Sequence, residues 1–222
     1  NYEHLMSSGL YDALVKDSLL IPHEEINADH LKSNEAYKII KPERIHFISY
    51  PYEWCFSQLK DAALTTLKIQ KKSLDFGMSL KDSSAYNIQF RNGKPVLIDT
   101  LSFEKYKEGQ PWIAYRQFCQ HFLAPLTLMS HTDIRLNQLL RSYIDGVPLD
   151  LASKLLPMRT RFNFSLLSNI HLHAKSQKHF ADKEIKKDHR KISRMSYLGL
   201  IDNLESAIKK LQWLFSNAQY TE

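Results

Sequence analysis

The chain predicts an α+β fold with helix in large excess. Apolar residues recur at helical spacing over most of its length, and a single Asn-Gly hairpin signal, Asn92-Gly93, interrupts them. Apolar residues make up 43% of 222 positions and aromatics 11%, enough for a sizeable core in one ordinary domain, with or without an appendage.

Taken in order, residues 4–20 predict a helix, with Leu5, Met6, Leu10, Leu14, Leu19 and Leu20 near helical period and Pro22 as the stop. Residues 23–36 are polar and read as a loop. Residues 45–50 (IHFISY) read as a strand closed by Pro51. A long helix is expected over 53–76, where Phe56, Leu59, Ala63, Leu67, Gln70 and Leu74 share one stripe and Gly77 ends it. Residues 86–90 and 95–99 are strand-like runs joined by Arg91-Asn92-Gly93-Lys94, the strongest short-range hairpin signal in the chain. Helices then follow over 112–129, 134–145, 149–156, 164–180 and 194–215, with Pro111 at a start and Gly146 just past an end.

Composition excludes several classes of function. The six glycines stand at 9, 77, 93, 109, 146 and 199, never closer than sixteen positions. That spacing rules out the glycine-rich dinucleotide loop, the Walker loop and the nucleophile elbow. Cys55 and Cys119 form no C-x-x-C pair and read as buried thiols in a reducing, cytoplasmic compartment. No apolar run approaches a membrane span and no signal-peptide pattern opens the chain; its start at Asn1, inside a helical pattern, reads as a piece of a longer protein. Of the net charge of +6, residues 175–194 hold +5, from eight Lys or Arg against three acids. Phe180 is the one aromatic in that block, so nucleic-acid stacking has little to work with and a solvated segment is the expectation.

The residues around the hairpin carry the chemistry. Asp82 precedes the first strand, Asn87 lies at its beginning and Asp99 closes the second. A tight hairpin brings its open ends together, and two oxygen donors beside a third carboxylate make a site for a hard cation such as Mg2+. The third carboxylate can orient or deprotonate a hydroxyl. In the strict two-residue register Asn87 faces Ile98, so a bulge or splayed ends is required for Asn87 and Asp99 to converge. Each residue taken alone also fits ordinary turn chemistry. His171 and His173, two apart on a helix, point in different directions and read, with His179, as packing or surface histidines; His121 reads as a core histidine.

The order Asp-x4-Asn, hairpin, apolar run, Asp resembles the catalytic and metal-binding segment of the protein-kinase-like fold, most closely its aminoglycoside-phosphotransferase branch. The resemblance implies a partial small lobe and hinge over residues 1–50 and a helical large lobe over 51–222, with the catalytic-loop hairpin at 80–104. It implies Asp82 as the catalytic carboxylate, Asn87 and Asp99 as the metal ligands, and Mg–ATP as the bound nucleotide. Tyr50 and Tyr52 would face the base after the hinge-like strand, or the segment would serve to pack Trp54 on the large lobe; Lys81 would meet the transferred phosphate or, equally, stand as a surface lysine. Two departures are plain: Leu80 stands where the family usually has His two before the catalytic Asp, and Thr100 follows Asp99.

Longer phrases, among them ISYPYEW (48–54), LKDSSAYNIQF (80–90) and PWIAYRQFCQHFLAPL (111–126), resemble the segment ahead of the methyltransferase domain in bacterial S-adenosylmethionine-dependent methyltransferases, some of them labelled host-specificity nodulation proteins. S-adenosylmethionine would then belong to an attached domain outside this chain. Two functions follow: phosphotransfer from Mg–ATP to a sugar or other small-molecule acceptor, or a catalytically inactive, kinase-shaped scaffold that regulates or presents substrate to an attached methyltransferase. Nucleic-acid binding is a distant third.

Overall fold

The computed structural model describes residues 1–26, 37–174 and 192–213. The first helical pattern folds as two short helices, α1 (Tyr2–Ser7) and α2 (Leu10–Lys16), because Gly9 sits between them at φ 82°. Leu5, Leu10 and Leu14 are buried on one side. Leu19 and Leu20 leave the helix and run extended. Ile21 N–H donates to Leu97 O and Leu97 N–H to Leu19 O, each at 2.9 Å, so this segment lies along the second hairpin strand.

Two expectations fail next. Residues 23–26, expected to open a loop, instead form β1 (His23–Ile26), which pairs antiparallel with β2 (Ile39–Pro42); residues 27–36 of that expected loop lie outside the described residues. Three of the four β1 residues are exposed, so no apolar alternation marks it as a strand. Residues 45–50, in contrast, form no strand. Phe47, Ile48 and Tyr50 are exposed, and Ser49 pairs with a side chain instead: its N–H donates to Gln89 Oε1 at 3.1 Å, and Gln89 Nε2 donates to Ser49 O at 3.0 Å.

A 3-10 turn (Pro51–Glu53) leads to α3 (Phe56–Asp75), and all six positions of the expected stripe are buried. The polar member, Gln70, is fully satisfied. Its Nε2 donates to Ser79 Oγ (3.1 Å) and Tyr197 Oη (3.0 Å), and its Oε1 accepts Leu80 N–H (2.6 Å). Cys119 is buried as expected, but Cys55, at the head of α3, is exposed; it stands just outside the first helical turn, where its thiol meets Ser57 Oγ at 3.2 Å.

Beyond α3 come β3 (Met78–Leu80), β4 (Ile88–Arg91), β5 (Lys94–Leu97) and β6 (Phe103–Lys105). β4 and β5 form the expected hairpin, with Arg91 opposite Lys94 and Ile88 opposite Leu97. Its turn has Asn92 at φ 53° and Gly93 at φ 75°, the pair of positive angles that matches the twist of flanking strands. β3 pairs antiparallel with β6, and Lys81 N–H to Ser102 O (2.8 Å) extends the ladder.

The remainder is helical. α4 runs through Tyr115–Phe118, a π turn (Cys119–Leu123) and Ala124–His131. Pro125 has no N–H for the carbonyl of His121, and its ring crowds that carbonyl; the widened turn relieves both problems. A 3-10 turn (Ile134–Gln138) leads to α5 (Leu139–Ser142), followed by α6 (Leu149–Leu155). A second 3-10 turn (Met158–Phe162) precedes α7 (Phe164–Leu166), which widens into a π segment (Leu167–Leu172); α8 is Arg194–Lys210. The expected helical residues 175–180 and 214–215, and residues 175–191 of the basic block, lie outside the described residues. Trp54, Phe103, Phe118 and Phe122 are among the largest fully buried side chains, in one core with Tyr197 and Ile201 of α8.

Gly146 is tightly enclosed. At φ 93°, a Cβ there would stand 2.7 Å from Gln120 Cβ and 3.0 Å from His121 Cδ2. Gly93 has comparable φ but open space. Gly146→Ala is expected to cost roughly 2–4 kcal/mol, from left-handed strain plus overpacking, against about 1–2 for Gly93→Ala. Urea midpoints of the two variants check the ranking; equal losses would contradict it.

Candidate functional site

The loop after β3 is built by side chains that bond their own backbone. Asp82 Oδ1 accepts Ser84 N–H at 2.9 Å, and Ser84 Oγ accepts Tyr86 N–H at 3.2 Å, opening a 3-10 turn (Ala85–Asn87). Ser83 fastens the loop to α4 and the residue before it: its N–H donates to Gln117 Oε1 (2.7 Å) and its hydroxyl to Ala114 O (2.9 Å). The partly buried Asp82 is therefore held at a fixed place between β3 and the hairpin.

Asn87 leaves that turn opposite Ile98, whose N–H donates to Asn87 O at 2.9 Å, the strict register. The link to Asp99 is made beyond the hairpin, through the turn that follows it. Asp99 caps a 3-10 turn (Thr100–Ser102) by accepting Leu101 N–H on Oδ1 at 2.8 Å. Its Oδ2 accepts the Ser102 hydroxyl at 2.7 Å, and Asn87 Nδ2 donates to the same Ser102 Oγ at 3.2 Å. Asn87 and Asp99 thus meet through one fully buried serine. Sequence reasoning missed Ser102; the spacing Asp-x-x-Ser, which closes a capped turn, was the available signal.

The other expected residues are placed less closely. Lys81 is exposed, joined to the site by its backbone bond to Ser102. Tyr50 and Tyr52 stack on each other, centroids 5.6 Å apart at 6°. Glu53 Oε2 accepts Tyr50 N–H (2.7 Å), and Tyr52 O accepts from Asn137 Nδ2 (3.1 Å) and Gln138 Nε2 (2.7 Å). No hydrogen bond among the described residues joins either tyrosine to Asp82, Asn87 or Asp99. Tyr86, in the turn beside Asn87, has its pKa raised by burial and by the Tyr52 phenol. Trp54 is buried, with Nε1 on Ser49 Oγ (2.9 Å) and an edge contact to Phe90.

His121 is a core histidine, as its stripe implied, but it also borders the site. It is 1% exposed, its Nδ1 has no partner, and its ring meets Tyr86 edge-on at 6.2 Å. Burial lowers its pKa to about 4 against the opposing pull of Asp82 and Asp145. His171 and His173 diverge: the first lies between Ser153 Oγ (2.8 Å) and Thr160 Oγ1 (2.9 Å), the second stacks on Tyr115. His179 lies outside the described residues.

Among the described residues no group of three or more His, Cys, Asp or Glu could hold a metal ion. A cation here would rest on Asn87 and Asp99 and take its other ligands from substrate oxygens and water. The donor set fits: Asn87 Oδ1 makes no hydrogen bond among the described residues, and each Asp99 oxygen retains a lone pair beyond the bond it accepts. A cleft of about 620 Å³ opens elsewhere, lined by Lys16, Asp17, Asp61, Lys68, Lys94 and Glu205 among others; Asp82, Asn87 and Asp99 do not line it.

Over 140 residues, 63% of its length, the chain is 42% identical to the nodulation protein NoeA of Rhizobium meliloti (strain 1021). The match covers 29% of that relative, so the chain spans less than a third of it. No family model matches the chain. No solved structure matches it. The resemblance to nodulation proteins is thus matched by a curated relative. No helix among the described residues is long and apolar enough to cross a membrane.

Two outcomes test this geometry. His121 takes up its proton far less readily folded than unfolded, where its pKa is near 6.5, so stability present at pH 7 is lost as pH falls through 6.5 toward 4. The loss between pH 7 and 5 is expected to be on the order of 2 kcal/mol, and its slope to flatten in His121→Gln. Denaturant titrations at the two pH values check it, and an unchanged slope in the variant would contradict it. Ser102→Ala is expected to cost about 0.5–1.5 kcal/mol, since water can replace the lost partner of the half-exposed Asn87 and Asp99. Thermal unfolding measures it.

Proposed function

We propose that the chain is a kinase-like domain that binds Mg–ATP and transfers phosphate to a sugar or other small-molecule acceptor. The observation that carries the reading is the convergence of Asn87 and Asp99 on Ser102 at the hairpin base, with Asp82 fixed in the preceding loop. The pairing of β3 with β6 supports it, because it closes residues 81–102 into one unit that holds all three side chains. Magnesium, when bound, neutralises phosphate charge and aligns the terminal phosphoryl group. Asn87 Oδ1 and Asp99 would hold it, and the Ser102 hydroxyl keeps both side chains turned toward each other. Asp82 Oδ2, whose partner oxygen is held by Ser84, would take the proton of an acceptor hydroxyl as its oxygen bonds to phosphorus and ADP leaves. Lys81 would meet the transferred phosphate, and the stacked Tyr50 and Tyr52 would offer an aromatic face to the base.

A second reading rests on Leu80, which fills with a buried apolar side chain the place of the usual histidine. In that reading the domain is a kinase-shaped scaffold for an attached methyltransferase, and S-adenosylmethionine binds only in the attached domain. Calorimetry with Mg–ATP separates the readings from no function at this site. Binding is expected to require magnesium and to weaken at least tenfold in Asp99→Ala, since one of two protein ligands is lost. Asp82→Ala is expected to keep binding and lose ATP turnover by about 10²–10⁴. Binding with no turnover in the unaltered chain would favour the scaffold; binding unaffected by Asp99→Ala would overturn the site.

A further inference from the structure

We infer that the turn between α6 and α7 is a docking surface for an anionic membrane interface. Met158, Phe162 and Phe164 stand 65%, 91% and 77% exposed within seven residues, MRTRFNF, that also carry Arg159 and Arg161. Scattered exposed apolar side chains are ordinary, but three large ones on one rigid turn are not.

The turn is rigid because it is held from beneath. Thr160 is buried, its hydroxyl set between Pro157 O (2.7 Å) and His171 Nε2 (2.9 Å). Asn163 Oδ1 accepts Leu166 N–H (3.2 Å) and starts α7. With Thr160 turned in and Asn163 used as a cap, Met158, Phe162 and Phe164 are left facing out. The outward display is therefore a property of the fold rather than of a loose loop.

Charge selects the occupant. Lys154 pairs with Asp150 at 3.7 Å, and residues 151–174 otherwise carry Arg159 and Arg161 and no carboxylate. Arg159 Nη2 bonds His131 O at 3.3 Å, which keeps its guanidinium at the base of the turn, and Arg161 has no ion-pair partner among the described residues. A second copy of the chain would bring the arginines of both faces together in a two-fold contact, which like charges oppose. A bilayer with anionic headgroups satisfies both parts: aromatic tips enter the acyl boundary, and guanidinia meet phosphates at its surface.

Co-sedimentation of the chain with vesicles of phosphatidylglycerol and phosphatidylcholine in about equal parts tests it, against phosphatidylcholine alone. Binding is expected to the anionic vesicles and to weaken with salt. Phe162→Ser with Phe164→Ser is expected to lower it at least about tenfold, and Arg159→Gln with Arg161→Gln by about fivefold per charge. Phe47→Ser, on an exposed aromatic elsewhere, is expected to leave it unchanged. The altered side chains are exposed, and circular dichroism verifies that the variants fold. Absence of binding overturns the inference. So does undiminished binding by the phenylalanine variant, which assigns the attraction to overall charge, or self-association abolished by that variant, which assigns the face to a second copy.

Discussion

The antiparallel pairing of β3 with β6 is the constraint on which the site depends. Leu80 faces Phe103 at a position where the ladder bonds belong to its neighbours, so its own N–H and C=O point away from β6. In a two-stranded sheet those groups would be left at a buried edge. Here Gln70 Oε1 accepts the N–H at 2.6 Å and Trp112 Nε1 donates to the C=O at 2.8 Å. Side chains from α3 and from the segment before α4 thereby stand in for missing strands. Once both ends of residues 81–102 are fixed in this way, the loop of Asp82, the hairpin and the turn of Asp99 must close on one another.

Ser102 joins that frame to the chemistry. Its carbonyl extends the ladder to Lys81, and its hydroxyl links Asn87 to Asp99. The same residue therefore belongs to the fold and to the candidate cation site, and it ties the two side chains together by hydrogen bonds. On the far side, the π turn of α4 brings a neutral, buried His121 against Tyr86 and within reach of the charges of Asp82 and Asp145. Acid that protonates His121 would place a charge in the core beside the loop, so stability and the setting of Asp82 are coupled to the same group.

Local signals were legible and long-range ones were not. The hairpin could be read because Asn92-Gly93 has its own backbone preference, and α3 because its stripe, Gln70 included, holds over twenty residues. The pairing of Asn87 with Ile98 followed from counting. The partner of Asp99 did not, because Ser102 acts through a capped turn that periodicity does not encode. Residues 45–50 have strand composition but meet a glutamine side chain instead of a strand, whereas HEEI pairs as a strand with almost no burial to mark it. The β3–β6 pair, only three residues on each strand and separated by the hairpin, leaves no pattern of its own.

The proposed phosphotransfer depends on Asn87 and Asp99 acting as a single cation site when nucleotide is present. Paramagnetic broadening by Mn2+ with ATP, read on the side-chain amide of Asn87 in an isotope-labelled chain, reports on that directly. The Asn87 signal is expected to broaden at low Mn2+ and to stay sharp in Asp99→Ala. A sharp Asn87 signal in the unaltered chain, with broadening instead around Asp17, Asp61 and Glu205 in the other cleft, would contradict it.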